Sequence, residues 1–349
     1  MTFFVLRTRH KIFKNVTPRR QSNIELLRII SMLMVLAVHI DGASLGLPNL
    51  RGNISALDSR TACQLIVESL AIVGVNCFTL ISGYFGIKLR LKSIVSYLFQ
   101  CVFYAVGIYT FFLIYQPFKF TWSGWLESFM VLSHTDLWYV PAYFGLMLIS
   151  PFLNLATESL SSKKFCILLS AFIIFNVWCG WLWGGSFNPT GYTLVQLIMV
   201  YLIGRYLKLH TVETKGNKTT LEMLIAYLLA ATAVFASSIY MQPKAFAYNS
   251  PLVLIESVAL FMAFRSMSFN SNLINYAAKS AFAVYLLHKA PAIFGDIMKP
   301  LVLGMWHSCD LIQFSAFSAV LMAMIYTFAM IVDTIRRYID VKICKLFKV

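Results

Sequence analysis

Charge is scarce in this sequence, with Asp, Glu, Lys and Arg making up 12% of 349 residues, about half the share usual in a soluble domain. That scarcity, a mean hydropathy of +0.73 and a 59% hydrophobic composition exclude a chain whose folded surface faces water throughout. Acidic residues are the scarcer sign, 14 against 29 Lys and Arg, for a formal net charge of +15. The seven cysteines show no CxxC spacing, so neither a disulfide framework nor a metal site is expected. Long polar loops are missing too. The longest, near residues 41–63, 116–136 and 208–220, are too short to fold alone. A membrane sensor or scaffold, which normally displays a sizeable extramembrane domain for its partner, is therefore a less expected reading than an enzyme. No internal repeat and no low-complexity tract occurs. The first residues offer no apolar core followed by a small-residue cleavage site, so a basic arm at 1–22 is expected on the cytoplasmic side, not a signal peptide.

What is present is a series of apolar runs, each about long enough to cross a ~30 Å hydrocarbon layer. They fall near 23–40, 64–86, 93–115, 137–154, 165–183, 191–207, 221–240, 250–267, 279–298 and 311–332. The expectation is an all-α, polytopic helix bundle of about ten transmembrane helices, with both termini cytoplasmic. The great majority of the 29 Lys and Arg then fall in the arm, the tail and the inner loops, as the positive-inside rule requires. Orientation and anionic lipid headgroups account for the positive charge, and a nucleic-acid partner is not expected. Residues 23–332 form the transmembrane domain in this reading. Residues 333–349 alternate Arg336, Arg337, Lys342, Lys345 and Lys348 with Ile335, Ile339, Ile343, Leu346 and Phe347, a pattern suited to a helix lying among headgroups.

Ionisable groups are expensive in hydrocarbon, so those within spans are the candidates for function. The first span is the richest. Arg28 and His39 are eleven residues apart, which on an α-helix is about 20° of residual rotation and ~16 Å of rise. Glu25 lies within ~60° of the same line. One helix face thus carries an ion pair at the cytoplasmic end and an imidazole toward the other end. By itself this stripe also suits an interfacial anchor with His39 at the far end of the helix.

Arg28 followed after ten residues by His39 resembles the R-x10-H signature of acyltransferase family 3. Phe78, Ser82, Gly83 and Tyr84 resemble that family's F-x-x-x-S-G-Y segment. Leu137-Trp138-Tyr139-Val140 with the later Ser150-Pro151-Phe152 resembles its LWF-L stretch and S-P, and Tyr285 with His288 resembles its Y-L-x-H. The segments occur in the family's order across the whole chain. Glu25 and Ile29 depart from the aspartate and the small residue that many relatives carry beside the arginine. The resemblance implies transfer of an acyl group, most often acetyl from acetyl-CoA, to a sugar hydroxyl of a surface or lipid-linked glycan such as O-antigen, capsule or exopolysaccharide. It also implies an inner (plasma) membrane location. No permanently bound cofactor is expected.

CoA is cytoplasmic and carries phosphates, so Arg28, helped by Lys88, Arg90 and Lys92, is the expected donor-binding group. A sugar hydroxyl needs a base, and imidazole suits that work. His39 is therefore the expected general base, with a covalent acyl-histidine as the alternative. Glu68 and Glu256, carboxyls in the outer half of their spans, are candidates to orient the His39 ring. His288 is a further catalytic candidate, while Ser82, Trp138 and Tyr285 are supporting residues. His134, Asp136, Trp122 and Trp125 offer an outer surface for an acceptor sugar. The competing reading is a transporter or flippase, which also places ionisable groups inside spans. It predicts repeated halves with paired broken helices, which the sequence does not show.

Overall fold

A computed structural model describes residues 20–116, 118–133, 135–184 and 187–346, and every regular element among them is helical. The basic arm expected at 1–22 lies, up to residue 19, outside the described residues, as does His134. The principal helices are α1 (Ser22–Ile40), α2 (Ser59–Ala71), α3 (Gly74–Phe85), α4 (Leu91–Tyr115), α5 (Tyr139–Ser159) and α6 (Ser162–Asn176). They are followed by α7 (Leu194–His210), α8 (Asn217–Met241), α9 (Pro251–Ser266), α10 (Ala281–His288), α11 (Lys299–Ser308) and α12 (Leu311–Leu346).

Among the described residues, eight helical segments are long and apolar enough to cross a membrane. A ninth is counted if Asn272–His288 and Pro291–Ser308, bent by 68° at their junction, form one broken span. The straight ninth span expected at 279–298 is thus a kinked pair, with Pro291 and Pro300 opening the second arm. The expected sixth span corresponds to α7, whose 17 residues rise ~25 Å, the short end of what crosses a bilayer. α12 is a single helix of 36 residues, so the chain continues without a break past residue 332 into the expected tail.

Local chemistry explains several boundaries. The Asp58 carboxylate caps α2 by accepting the Thr61 N–H at 2.7 Å, and that backbone hydrogen bond holds Asp58 below the usual carboxylate range. Thr193 caps α7 through the Gln196 N–H. Within α5, Pro151 has no N–H to give the Met147 carbonyl, and the Ser150 hydroxyl donates to that carbonyl instead, at 2.8 Å. This is the physical content of the Ser-Pro pair.

α1 is the central post, packed on α2, α3, α9, α10 and α12. Its start is tied down by Asn23, whose side-chain amide donates to the carbonyls of Phe264 and Met267 at 2.9 and 3.0 Å. α3 crosses α7 at a pair of glycines. A side chain on Gly83 collides with the Tyr201 carbonyl, and a Cβ on Gly204 falls 2.5 Å from the Leu80 carbonyl. The Ser82-Gly83-Tyr84 segment therefore marks a close backbone crossing. Outer faces carry exposed apolar side chains such as Phe111, Leu155, Ile174, Leu229 and Ile331, which suits a hydrocarbon surround.

Candidate active site

Along α1, Arg28, Met32, Val35, Val38 and His39 share one face and line one wall of a cavity of about 250 Å³. α3 contributes Phe78 and Ser82, the start of α5 contributes Trp138, Tyr139 and Tyr143, and the 278–285 segment contributes Lys279, Phe282 and Tyr285. The cavity therefore runs with the helix from a cationic end, Arg28 and Lys279, to an imidazole end. Its middle is aromatic. Tyr139 and Tyr143 stack at 5.5 Å between ring centroids, Trp138 meets Tyr192 at 4.9 Å, and Tyr285 lies 6.0 Å from Tyr139.

At the imidazole end, His39 Nδ1 lies 2.8 Å from His288 Nε2, and His288 Nδ1 lies 2.6 Å from the Val284 carbonyl oxygen. A carbonyl oxygen only accepts, so His288 Nδ1 carries a proton. With both rings neutral, His288 Nε2 is then an acceptor and His39 Nδ1 its donor. His39 Nε2 is left with a free lone pair on the residue that lines the cavity. His288 is buried, 1% exposed, and the last turn of α10 fixes it. The end of α1 is held in turn by Ser44, whose hydroxyl donates to the His39 carbonyl at 2.7 Å.

At the other end, Glu25 Oε2 lies 3.4 Å from Arg28 Nε, and its Oε1 accepts from Arg20 Nη1 at 3.2 Å. The first contact is an ion pair outside hydrogen-bonding geometry, since neither Arg28 Nε nor Glu25 Oε2 has a hydrogen-bond partner. Glu25 steadies the guanidinium from outside the cavity. Ser82 Oγ donates to the Phe78 carbonyl at 3.0 Å and lies 3.2 Å from the Tyr143 hydroxyl, so it sets the phenol on the cavity wall.

Other expected site residues stand elsewhere. Glu68 and Glu256 do not take the His39 ring, which His288 holds. Glu68 Oε2 lies against Gly42, just past the end of α1. Glu256 is fully buried with both carboxyl oxygens unpartnered and does not line the cavity. Arg90 and Lys92 are exposed at the start of α4, away from the cavity wall. Lys279, Tyr192 and Tyr248 line the cavity although the sequence reading did not single them out. Only the positive charge of Lys279 pointed to its end of the bundle, and nothing local marked the two tyrosines.

No curated protein and no solved structure matches this chain. The sequence profile of acyltransferase family 3, described as an acyltransferase domain, matches residues 21–334. That match covers nearly every helix described above, from the start of α1 into α12, and all four signature segments. The chain is a member of acyltransferase family 3.

Proposed function

We propose that the protein transfers an acyl group, acetyl in the simplest case, from acyl-CoA to a hydroxyl of an envelope or lipid-linked glycan at the inner (plasma) membrane. The observation that carries this reading is the single cavity with Arg28 and Lys279 at one end and His39 at the other. A cavity of about 250 Å³ takes the slender pantetheine arm and leaves the bulkier nucleotide outside. The phosphates then stay at the cationic mouth, where Arg28 offers a fork matched to phosphate oxygens. Lys279 is exposed and adds a mobile charge beside it.

The thioester is delivered toward His39 along the α1 face, ~16 Å from the Arg28 position. His39 Nε2 takes the proton of the attacking hydroxyl as its oxygen bonds to the thioester carbonyl carbon. The C–S bond breaks, and the proton passes from His39 to the departing CoA sulfur. His288 is a positioning residue here. Its Nε2 fixes the tautomer and the rotation of His39 through the 2.8 Å contact, the part a carboxylate plays in other acyl-transfer sites. A transporter needs no such tautomer-defining pair.

The test compares, by mass spectrometry, the envelope glycans of cells carrying the intact protein, His39→Ala, or neither, at equal membrane amounts. An acyl mass increment seen only with the intact protein is expected. An increment that persists with His39→Ala overturns the mechanism, and identical spectra in all three overturn the acyl-transfer reading.

A further inference from the structure

Two cavities outside the α1 slot adjoin one another and have opposite chemistry. The first is a groove of about 550 Å³ between α4 and α12, walled by Phe103, Gly107 and Phe111 on one side and by Met324 and Phe328 on the other. Its inner wall is Leu287 and His288, so it ends on the residue that holds His39. Phe111, Met324 and Phe328 are more than half exposed, which opens the groove sideways from membrane-spanning helices. The second is a bowl of about 730 Å³ beside the second half of α4, lined by the hydroxyl-bearing Thr121, Ser123, Ser128 and Thr135 and the acidic Glu127 and Asp136 of the segment that follows it. α1 and α4 are the first and third spans and run in the same sense across the bundle, so the bowl lies at the His39 end. The two compartments share Tyr104 and Ile108, and successive residues divide between them: Leu286 and Ala290 face the bowl, Leu287 and His288 the groove.

We propose that the groove seats a hydrocarbon chain of the acceptor and the bowl its hydroxylated headgroup, so that the acceptor is a membrane amphiphile entering from the lipid phase. The proposal rests on the acyl-transfer reading above. Hydroxyl and carboxylate side chains pair with both the donors and the acceptors of a polyol, whereas an apolar groove gives a soluble glycan nothing to bind. Lipid tails are as apolar as the groove, so seating a chain there brings little hydrophobic gain. Affinity comes from the bowl. The groove supplies register, holding the headgroup at the depth of the two histidines.

Gly107 makes this testable, because a Cβ there meets no atom within 4 Å and a large side chain projects into the groove without displacing the helix. Gly304 on α11 is equally open and lies outside the groove. Membranes containing the intact protein, Gly107→Trp or Gly304→Trp are incubated with radiolabelled acetyl-CoA, freed of unreacted donor by gel filtration, then separated into organic-extractable lipid and aqueous fractions. The expected result is label in the lipid fraction with the intact protein and Gly304→Trp. Gly107→Trp lowers it about a hundredfold, the loss that a ~1 Å misplacement of a reacting group brings. Monodisperse protein by size exclusion confirms folding, and Gly107→Leu repeats the comparison where the Trp variant is lost from the membrane. Lipid label unchanged by the Gly107 variants, or label confined to the aqueous fraction, overturns the proposal and leaves acyl transfer standing. No label in either fraction with the intact protein overturns the acyl-transfer reading itself.

Discussion

At the residue scale, what matters is which nitrogen of each imidazole carries a proton. The Val284 carbonyl settles His288, and His288 settles His39. His288→Ala removes the acceptor for His39 Nδ1 and is expected to lower kcat by about two orders of magnitude or more, with KM for acyl-CoA little changed. In His288→Gln the side-chain carbonyl can still accept that proton, so activity is partly restored and the pH–rate profile keeps its shape. Kinetics on the two variants check this, and equal losses in both would count against a positioning role. The Arg28–His39 stripe was legible in the sequence because both residues sit on one helix and the period of 3.6 aligns them. The His39–His288 contact was not. It joins positions 249 apart, and helical phase within α1 says nothing about which neighbouring helix meets it. Glu68 and Glu256 looked equally able to hold the ring, because burial of an acid is readable from a span while the direction it faces is not.

At the element scale, close approach and buried charge carry the bundle. Gly204→Ala forces the α7 backbone away from α3, since the added carbon falls 2.5 Å from the Leu80 carbonyl. A cost of about 1–3 kcal/mol is expected from such overpacking, seen as a lower thermal midpoint in detergent. Farther along, Asp333 is fully buried and accepts from Ser280 Oγ at 3.0 Å and Arg336 Nε at 3.0 Å. Arg336 continues the network to Asp340, which accepts from Ser96 of α4. Asp333→Ala leaves the Arg336 guanidinium buried without that partner, and breaking such a pair costs about 3–5 kcal/mol. The thermal midpoint of Asp333→Ala should therefore fall further than that of Gly204→Ala. The sequence placed a boundary at Asp333 because the first charges after an apolar run read as an interface. A buried ion network at a helix–helix contact gives the same pattern, and only the burial of Asp333 and Arg336 separates the two.

For the whole molecule, the distribution of Lys and Arg predicts which face meets the cytoplasm. The hydroxyl-lined bowl lies at the opposite end from Arg28 and Lys279. In a background with the native cysteines replaced, Ser123→Cys should react with a membrane-impermeant maleimide on intact cells. Lys215→Cys, in the exposed loop before α8, should react only after permeabilisation. The reverse pattern would invert the proposed orientation and put the donor on the wrong side. Composition and periodicity made the helical, membrane-spanning class plain. The 17-residue length of α7 matches the 191–207 run, whereas the kink after His288 was read as one continuous span although Pro291 marks the break locally.

The length of α12 brings the bilayer itself into the account. Thirty-six residues rise ~54 Å against a hydrocarbon layer of ~30 Å, so this helix must lean or protrude. A helix under hydrophobic mismatch changes its tilt with membrane thickness. One side of α12 is a wall of the lateral groove, so tilt and groove width change together. Turnover in phosphatidylcholine vesicles should accordingly vary with acyl-chain length and pass through an optimum. A flat response would mean that the network at Asp333 clamps α12 rigidly to α4 whatever the thickness of its host.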